Sequence, residues 1–304
     1  MEPKFMQIPA IFQENVALKD FTTYKIGGKA RYFAEIDSIE SLQEVLRFCA
    51  QTQTEYFTIG KGSNLVVSDQ GFDGAILYIG PKCFGQIDIQ GNCVTAQAGV
   101  LLHSVVGKTV KAGLAGMENL GGIPGTMGGG AYINAGAFDQ ELVQVITEVK
   151  SLTPQGELRI RNNEECGFSY RRSNFFDWDE IIVEVTMELR PENSETLTEQ
   201  MNAILKRRKE KQPLNYPNAG SMYKRPPGTY AGKLIQEAEL KGFKMGGAQI
   251  SPKHANFVIN TGEATAQDIY DLSTEVILRV AADSGITMER EQIFLGEFLE
   301  WPRS

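Results

Sequence analysis

The segment from Gly113 to Ala137, GLAGMENLGGIPGTMGGGAYINAGA, constrains the fold more than any other part of the chain. It contains nine glycines and a single charged residue, Glu118. Glycine accepts positive φ and leaves no Cβ in the way, so main chain of this kind can approach another group closely. Successive backbone N–H groups in such turns also attract anions. The segment fits either tight turns between strands or binding of a large phosphate-bearing ligand, and the glycines around Pro124, closed by Asn134 and Gly136, favour the ligand.

The composition is that of a globular protein with more than one core. The chain has 304 residues, 42% of them hydrophobic and 22% charged, which is enough for two or three domains. Its net charge of −8 argues against general nucleic-acid binding, which requires a basic surface. An anionic ligand must therefore be held by local positive charge or by backbone dipoles.

The cysteines and histidines do not form a recognisable metal motif. No CxxC pair occurs, and the two histidines lie far apart in sequence, so we expect no metal site and predict free thiols in a reducing compartment. The first 16 residues lack a signal-peptide pattern, and no apolar run is long enough to cross a membrane. We therefore predict a cytoplasmic protein without membrane insertion. The residues concerned are Cys49, Cys83, Cys93, Cys166, His103 and His254.

The periodicity of apolar residues predicts mixed helices and strands after an N-terminal arm of about 20 residues. Ser38 is predicted to cap a helix whose apolar residues, from Ile39 to Cys49, follow helical spacing. Further helices are predicted at 100–111, 196–211, 231–240 and around Ile269 to Val280. Strands are predicted at 56–59, 143–153, 181–189, 255–259 and in the tail ITMEREQIFLGEF. A boundary is predicted at 191–194.

A second glycine loop, GKGSNL at Gly60–Leu65, follows the predicted strand Tyr56–Ile59. Its spacing is not the G-x-G-x-x-G of a dinucleotide fold, no helix follows it directly, and no Walker sequence is present. A nucleotide would therefore not be bound in the Rossmann manner. The loops at 60–64 and 125–130 could instead hold one long ligand through backbone N–H groups, Ser63 and Thr126.

Six motifs, in this order, resemble the UDP-N-acetylenolpyruvoylglucosamine reductase family: IGKGSNLVVSDQGFDG, ENLGGIPGTMGGGAYINAGA, YRRSNF, PNAGSMYKRP, GGAQISPKHANFVIN and MEREQIFLG. The resemblance extends from about Phe21 to Gly296. Only a compact loop lies between Tyr170 and Ile181, which resembles the shorter form of the family without a tyrosine loop.

The resemblance implies an α+β fold. A two-subdomain FAD-binding region of the vanillyl-alcohol-oxidase (PCMH-type) superfamily is expected at 1–194, with subdomains at about 1–80 and 81–194. A C-terminal α+β substrate-binding domain is expected at 195–304.

The resemblance also implies the reaction: NADPH-dependent reduction of UDP-N-acetylglucosamine enolpyruvate to UDP-N-acetylmuramate. This step serves peptidoglycan precursor synthesis, and hence cell-wall biogenesis, cell shape and cell division. Hydride is expected to pass from NADPH to FAD and then to the enolpyruvyl carbon. FAD is expected to be noncovalent, because neither histidine nor cysteine occurs at 60–64 or 113–130. The expected partners are the UDP-sugar enolpyruvate ether and NADPH, with the protein a monomer or weak oligomer.

Three residues match the catalytic set of the family: Arg171 in Tyr-Arg-x-Ser, Ser221 after Asn-Ala-Gly, and Glu291 before the final Phe-Leu-Gly. Hydride addition leaves a carbanion beside a carboxylate, and arginine can hold that carboxylate at two points. Ser221 would donate the proton, a step that depends more on geometry than on acidity because the carbanion is a strong base. Glu291 would act protonated, which requires a partly desolvated site.

Each catalytic assignment has a competitor in the sequence. Arg172 rivals Arg171, and Glu289 rivals Glu291, since residue chemistry alone does not separate them. Ser221 could be an ordinary turn residue. The family usually has arginine two residues after the glutamate, whereas this chain has Ile293, which puts a salt bridge orienting Glu291 in doubt.

The remaining site residues are predicted on the same motifs. Those expected at the substrate are Tyr170, Lys224, Arg225 and His254, of which the two basic residues could meet a diphosphate. Those expected at FAD are Gly60, Lys61, Gly62, Ser63, Asn64, Leu65, Ile123, Gly125, Thr126, Gly128, Gly129, Asn134, Ala135 and Gly136.

Two other functions fit the same sequence. A flavin oxidase of the same superfamily would use oxygen and a different substrate. A nucleotide-sugar binder that has lost its flavin would carry no activity. The response of the protein to air and to FAD would distinguish them.

Overall fold

A computed structural model describes residues 8–301 of the chain. Those residues form seven α-helices: α1 (Ile39–Thr52), α2 (Leu102–Lys111), α3 (Met127–Tyr132), α4 (Phe175–Trp178), α5 (Ser194–Lys211), α6 (Ala231–Glu237) and α7 (Ala266–Ser284). They also form eighteen strands: β1 (Phe12–Ala17), β2 (Lys29–Glu35), β3 (Tyr56–Ile59), β4 (Leu65–Val67), β5 (Phe72–Tyr78), β6 (Ile87–Gln90), β7 (Cys93–Gln97), β8 (Leu114–Ala115), β9 (Gly136–Ala137), β10 (Gln140–Glu141), β11 (Ile146–Leu152), β12 (Leu158–Asn162), β13 (Ile181–Glu188), β14 (Arg190–Pro191), β15 (Lys244–Met245), β16 (Ala248–Ile250), β17 (Val258–Asn260) and β18 (Ile293–Leu295). The predicted α+β composition is confirmed.

The chain divides into two compact units. Unit 1 contains residues 8–14, 32–61 and 74–206, and unit 2 contains 15–31, 62–73 and 207–301. This grouping differs from the linear boundary predicted near residue 194, because two N-terminal segments group with the C-terminal residues and α5 runs across the division. The functional division into an FAD-binding region and a substrate domain stays a prediction.

Unit 1 is built on an antiparallel five-stranded sheet with the order β12-β11-β13-β7-β6. Val149, Val185 and Ala96 pair across three neighbouring strands and are fully buried, as alternating apolar residues on one face predict. Helix α3 packs on this sheet. A side chain at Gly128 would collide with the Cβ of Ala98, so glycine allows the helix to approach the end of β7 closely.

Helix α1 forms as predicted. The Ser38 hydroxyl accepts from the N–H of Ser41 (3.1 Å), and the Ser41 hydroxyl accepts from the N–H of Ser38 (3.1 Å), which completes a capping box. Leu42, Val45 and Leu46 are buried on its inner face. The helix connects β2 to β3 in a sheet of order β1-β2-β5-β3, in which β3 and β5 run parallel.

Unit 2 contains the three-stranded sheet β15-β16-β17, the parallel pair β4 and β18, and helices α6 and α7. The predicted apolar face of α7 is confirmed, with Ile269, Leu272 and Val276 fully buried. Thr265 caps this helix, and the Asp69 carboxylate accepts from the N–H groups of residues 266 (2.9 Å) and 267 (3.0 Å). Residues near 69 are thereby fixed to the helix start.

Several predicted boundaries were wrong. The glycine-rich segment contains helix α3, which the sequence did not predict. Thr126 caps its start, and the carbonyls of residues 100 and 98 accept from the N–H groups of residues 127 and 128. Helix α6 ends at Glu237 because Glu239 turns to φ +56°. The strands predicted at 255–259 and in the tail are shorter in the structure, where they correspond to the three-residue strands β17 and β18.

The N-terminal arm contains β1 rather than irregular chain only, and the part before Ile8 lies outside the described residues. None of the helices that the structure describes is both long and apolar enough to cross a bilayer.

Candidate active site

Gly60 and Thr126 bring the two predicted glycine loops together within unit 1. Gly60 directly follows β3, and a Cβ at this position would overlap the Oγ1 atom of Thr126. The loops can therefore meet only because Gly60 has no side chain. The same Oγ1 accepts from the N–H of Gly129 (3.4 Å), so that Thr126 caps the start of α3.

The backbone N–H groups at the start of α3 are already used by the protein. Met127 donates to the carbonyl of Val100 (2.7 Å), and Gly128 donates to that of Ala98 (2.8 Å). The N–H groups of residues 127 and 128 therefore already have main-chain partners, and binding of a long ligand by the loop at 125–130 stays a prediction. Phosphate held at a helix N-terminus, as in a dinucleotide fold, does not fit α3.

The main chain at Gly125 and Gly129, beside the start of α3, is accessible to a ligand. Gly129 is exposed, and a Cβ there would meet only the Thr126 Oγ1 atom, at 3.4 Å. Gly125 has φ +145° and its carbonyl accepts from the N–H of Leu102 (3.0 Å), which fixes the turn before the helix. This stretch of unit 1 thus presents main chain without protruding side chains. Contact of these residues with FAD stays a prediction.

The other residues predicted at FAD in unit 1 differ in accessibility. Lys61 is exposed, Ile123 is partly buried against the core, and Ala135 is buried. Gly136 lies in β9, opposite Glu141 of β10. Asn134 is fully buried, and its side chain donates to and accepts from other groups of unit 1.

The second half of the GKGSNL loop lies in unit 2. Gly62 has φ +61°, and a side chain there would collide with the carbonyl of Phe21. Ser63 is half-buried, and Leu65 is buried in β4. Asn64 Nδ2 donates to the carbonyl of Glu291 (3.0 Å), which links this loop to the predicted acid.

Ser221 and Glu291 lie on neighbouring segments of unit 2. The N–H of Glu291 donates to the carbonyl of Met222 (2.8 Å), and the N–H of Lys224 donates to the carbonyl of Glu289 (2.9 Å). The segment after Ser221 therefore runs antiparallel to the segment carrying Glu291. Gly220, with φ +78°, makes the turn that precedes Ser221.

Gln292 is a site residue that the sequence reasoning missed. It is buried, and its Nε2 lies within hydrogen-bonding distance of the carbonyls of Ala219 (3.2 Å), Gly220 (3.3 Å) and Ser221 (3.4 Å). Its Oε1 accepts from the hydroxyl of Tyr24 (3.1 Å). The sequence did contain a signal: Gln292 lies between Glu291 and the apolar residues of β18, and a polar side chain buried at such a position is expected to form hydrogen bonds.

The structure separates Glu291 from its rival Glu289. The Glu289 side chain is 72% exposed and forms an ion pair with Lys224, whereas Glu291 is half-buried. Partial burial is the environment that a protonated carboxyl requires. Glu289 is thus an exposed carboxylate already paired with Lys224, and the assignment of the acid to Glu291 stays a prediction.

The structure also separates Arg171 from Arg172. The Arg171 side chain is 17% exposed, and its Nη2 donates to the carbonyl of Gly136 (2.9 Å). The Arg172 side chain is 54% exposed and pairs with Asp177 (2.6 Å) at the surface. Arg171 has φ +55° in the turn between Ser169 and Arg172, a conformation that glycine usually adopts. A strained backbone at a candidate catalytic residue favours Arg171.

The predicted substrate residues lie in both units. Tyr170 of unit 1 is 45% exposed. In unit 2, Arg225 stacks over the ring of Tyr230 (4.2 Å). His254 packs edge-on against Phe257, and its Nδ1 accepts from the N–H of residue 256 (3.3 Å). Burial lowers the pKa of His254, which favours the neutral imidazole.

The cysteines and the possible metal ligands were also predicted from the sequence. All four cysteines are free, as predicted; Cys49 and Cys166 are buried, and burial raises their pKa values to about 11 and about 12. Among residues 8–301, no group of three or more His, Cys, Asp or Glu side chains is placed to hold a metal ion.

Two family models match this chain. The FAD binding domain matches residues 30–161, and the C-terminal domain of UDP-N-acetylenolpyruvoylglucosamine reductase matches residues 212–295. Together they cover the two regions that carry the glycine loops and the Ser221–Glu291 segments.

Full-length relatives agree with these matches. UDP-N-acetylenolpyruvoylglucosamine reductase from Caldicellulosiruptor saccharolyticus is 40% identical over 289 residues, covering 94% of this chain and 93% of the relative. The protein of the same name from Pediococcus pentosaceus is 38% identical over 284 residues, covering 93% and 94%. The crystal structure of the Thermus caldophilus reductase superimposes with a TM-score of 0.81 at 33% identity, covering 94% of this chain and all of that one.

These matches confirm an FAD-binding region followed by the C-terminal domain of the reductase family, in a fold that superimposes on the Thermus caldophilus reductase over nearly the whole chain. The identities and coverage extend over nearly the whole chain rather than over one motif. The chain therefore belongs to the UDP-N-acetylenolpyruvoylglucosamine reductase family of FAD-binding oxidoreductases.

Proposed function

We propose that this protein reduces UDP-N-acetylglucosamine enolpyruvate to UDP-N-acetylmuramate in the cytoplasm, with NADPH as co-substrate and noncovalent FAD. One structural observation carries the assignment of roles: Ser221 and Glu291 lie on adjacent antiparallel segments, fixed by the bond from the Glu291 N–H to the Met222 carbonyl (2.8 Å). Two separate motifs of the sequence thereby meet within unit 2.

The main chain around Gly125 and Gly129 would hold the flavin, because Gly129 is exposed and has no side chain that would obstruct a large planar ligand. When bound, FAD would supply the redox chemistry, accepting hydride from NADPH and delivering it to the enolpyruvyl carbon. The chain itself would bind the substrate, stabilise the charge that develops and provide the proton.

Arg171 would hold the substrate carboxylate. Hydride addition increases the negative charge on the carboxylate oxygens, so a fixed guanidinium stabilises the transition state more than the ground state. The low exposure of Arg171 strengthens this interaction by limiting screening by water.

Ser221 would donate its hydroxyl proton to the carbanion formed beside the carboxylate. The hydroxyl needs position rather than acidity, since the carbanion is by far the stronger base. Gly220 and Gln292 fix the main chain on both sides of this hydroxyl. Protonated Glu291 would donate a hydrogen bond to the substrate.

Absorbance spectroscopy of the purified protein tests this function. The untreated protein should show the spectrum of oxidised flavin, NADPH should bleach it, and the enolpyruvyl sugar should restore it without oxygen. Rapid reoxidation by air with no response to the sugar would instead identify a flavin oxidase. A colourless protein that FAD cannot reconstitute would identify a nucleotide-sugar binder.

A further inference from the structure

We propose that Asn134 and Glu141 position the guanidinium of Arg171, so that both act on the reaction through that arginine. The inference rests on the function proposed for Arg171. The three residues come from different elements of unit 1: a hydrogen bond joins Asn134 to Glu141, and an ion pair at 3.7 Å joins Glu141 to Arg171.

Asn134 links the hairpin of Arg171 to the hairpin of Glu141. It is fully buried, and its Oδ1 accepts from the N–H of Val143 (2.9 Å). Its Nδ2 donates to Glu141 Oε2 (3.0 Å) and to the carbonyl of Ser169 (3.1 Å). A buried amide with its donor and acceptor sites engaged rigidifies the groups it contacts. Its side chain is thus committed to the protein, and any contact with FAD would involve its main chain.

Ser169 forms the base of the turn that carries Arg171. Its N–H donates to the carbonyl of Arg172 (3.0 Å), and the N–H of Arg172 donates back to the carbonyl of Ser169 (3.2 Å). That carbonyl is the same atom that accepts from Asn134 Nδ2. Asn134 therefore supports a turn in which Arg171 must hold a left-handed backbone.

Glu141 reaches the same arginine from a second hairpin. Strands β9 and β10 pair Glu141 with Gly136, and the connecting residues Phe138 (φ +52°) and Asp139 (φ +63°) have the positive φ values of a tight two-residue turn. A Cβ at Gly136 would lie 2.6 Å from the Glu141 Cγ atom. Glycine at 136 therefore lets the glutamate side chain pass close to the main chain.

The two strands of this hairpin each contact the guanidinium of Arg171, at different nitrogen atoms. Arg171 Nη2 donates to the Gly136 carbonyl (2.9 Å), while Nη1 lies 3.7 Å from Glu141 Oε1. Because a guanidinium is planar with donors in a fixed geometry, two contacts determine which way its plane faces. The pairing with Glu141 is longer than a strong charge-assisted hydrogen bond, so it orients the arginine without the strength of a bidentate pair.

Glu141→Gln tests the proposal, because glutamine keeps the size and an acceptor for Asn134 but removes the charge facing Arg171. We expect reoxidation of the reduced flavin by the enolpyruvyl sugar to slow by about 10- to 100-fold, as for a misplaced catalytic group. Reduction by NADPH and the melting temperature should change little. The matched control is Glu164→Gln, an exposed glutamate of the same unit, which should react like the original protein.

A double variant distinguishes positioning from a separate effect. If Glu141 acts through Arg171, Glu141→Gln should add little to the loss already caused by Arg171→Lys. Fully additive losses would overturn the proposal. Equal slowing of both half-reactions with a lower melting temperature would also overturn it, since that pattern indicates general damage to the fold.

A spectroscopic measurement keeps the test independent of the proposed reaction. In ¹⁵N spectra of the arginine side chains, the Arg171 Nε–H signal should be that of an ordered group and should shift and broaden in Glu141→Gln. An unchanged signal would overturn the proposal even if the original protein reduces the sugar. Conversely, a changed signal in a protein that ignores the sugar would support the positioning and reject the proposed function.

Discussion

Asn64 donates a hydrogen bond from Nδ2 to the main-chain carbonyl of Glu291 (3.0 Å), and its own carbonyl accepts from the N–H of Ile293 (3.0 Å). One residue of the glycine loop thus fixes the chain on both sides of Gln292. This arrangement bears on the departure from the family pattern at Ile293, a position where the family usually has arginine. The backbone of Glu291 is held by an amide rather than by a salt bridge from position 293.

Asn64→Asp should therefore impair the enzyme although it is nearly isosteric. The variant replaces the donor by a carboxylate facing the Glu291 carbonyl, which should reduce the free energy of unfolding by about 1–3 kcal/mol. We also expect slower flavin reoxidation by the enolpyruvyl sugar, measured by stopped flow. The control is Asp139→Asn, at an exposed residue of unit 1, which removes a negative charge instead of adding one. Normal stability and rates in Asn64→Asp would show that this hydrogen bond is dispensable.

Ser221→Ala should separate the two half-reactions. Reduction of the flavin by NADPH should proceed at nearly normal speed, because it does not need the substrate proton. Formation of UDP-N-acetylmuramate should then fall by about 10²–10⁴-fold, the usual contribution of a positioned acid. Stopped-flow absorbance measures both steps in one sample. Normal rates in both would mean that another group donates the proton.

Arg171→Lys should lower kcat far more than it weakens binding of the enolpyruvyl sugar. Lysine keeps the positive charge but loses the two-point geometry, and a missing preorganised donor costs about 10²–10³-fold in rate. Arg172→Lys is the matched control, because Arg172 pairs with Asp177 at the surface. A change confined to KM in Arg171→Lys, or an equal loss in the control, would contradict the assignment.

Gly60→Ala should weaken both folding and retention of FAD. The added methyl group would overlap Thr126 Oγ1, and overpacking of this kind costs about 1–3 kcal/mol. Chemical denaturation and the flavin-to-protein absorbance ratio measure the two effects. Gly107→Ala is the control: Gly107 lies inside α2, a Cβ there meets nothing within 4 Å, and alanine should stabilise the helix by about 0.5–1 kcal/mol. Similar behaviour of the two variants would exclude a special role for Gly60.

The free energy of unfolding should depend on pH through His254. Burial lowers its pKa in the folded state, so the unfolded chain binds the proton more readily. This contribution to stability is fully present above the unfolded pKa of about 6.5 and declines as pH falls towards the folded pKa. His254→Asn keeps an acceptor for the N–H of residue 256 but cannot titrate, so it should lose that part of the pH dependence. Denaturation curves between pH 5 and 8 provide the measurement, and parallel slopes for both proteins would contradict it.

The local sequence determined the elements whose signals lie close together in the chain. A serine cap followed by apolar residues at helical spacing gave α1, and the apolar stripe around Ile269 gave α7, because a helix is formed by residues three or four positions apart. The six motifs in order were enough to identify the family. The spacing of glycines in the GKGSNL loop alone excluded a Rossmann-type dinucleotide motif. The structure agrees, because strand β4 rather than a helix follows the loop.

Only the tertiary structure distinguished the candidates that share one residue type. Arg171 and Arg172 are neighbours in sequence, and their difference arises from burial and from contacts with Gly136 and Asp177. The short helix α3 likewise exists where glycine propensity argues against it, since Thr126 and the neighbouring main chain satisfy its first N–H groups. The link from Asn64 to Glu291 joins residues 227 positions apart. No periodicity or local motif encodes such a pairing, because it depends on how the folded chain brings distant segments into contact.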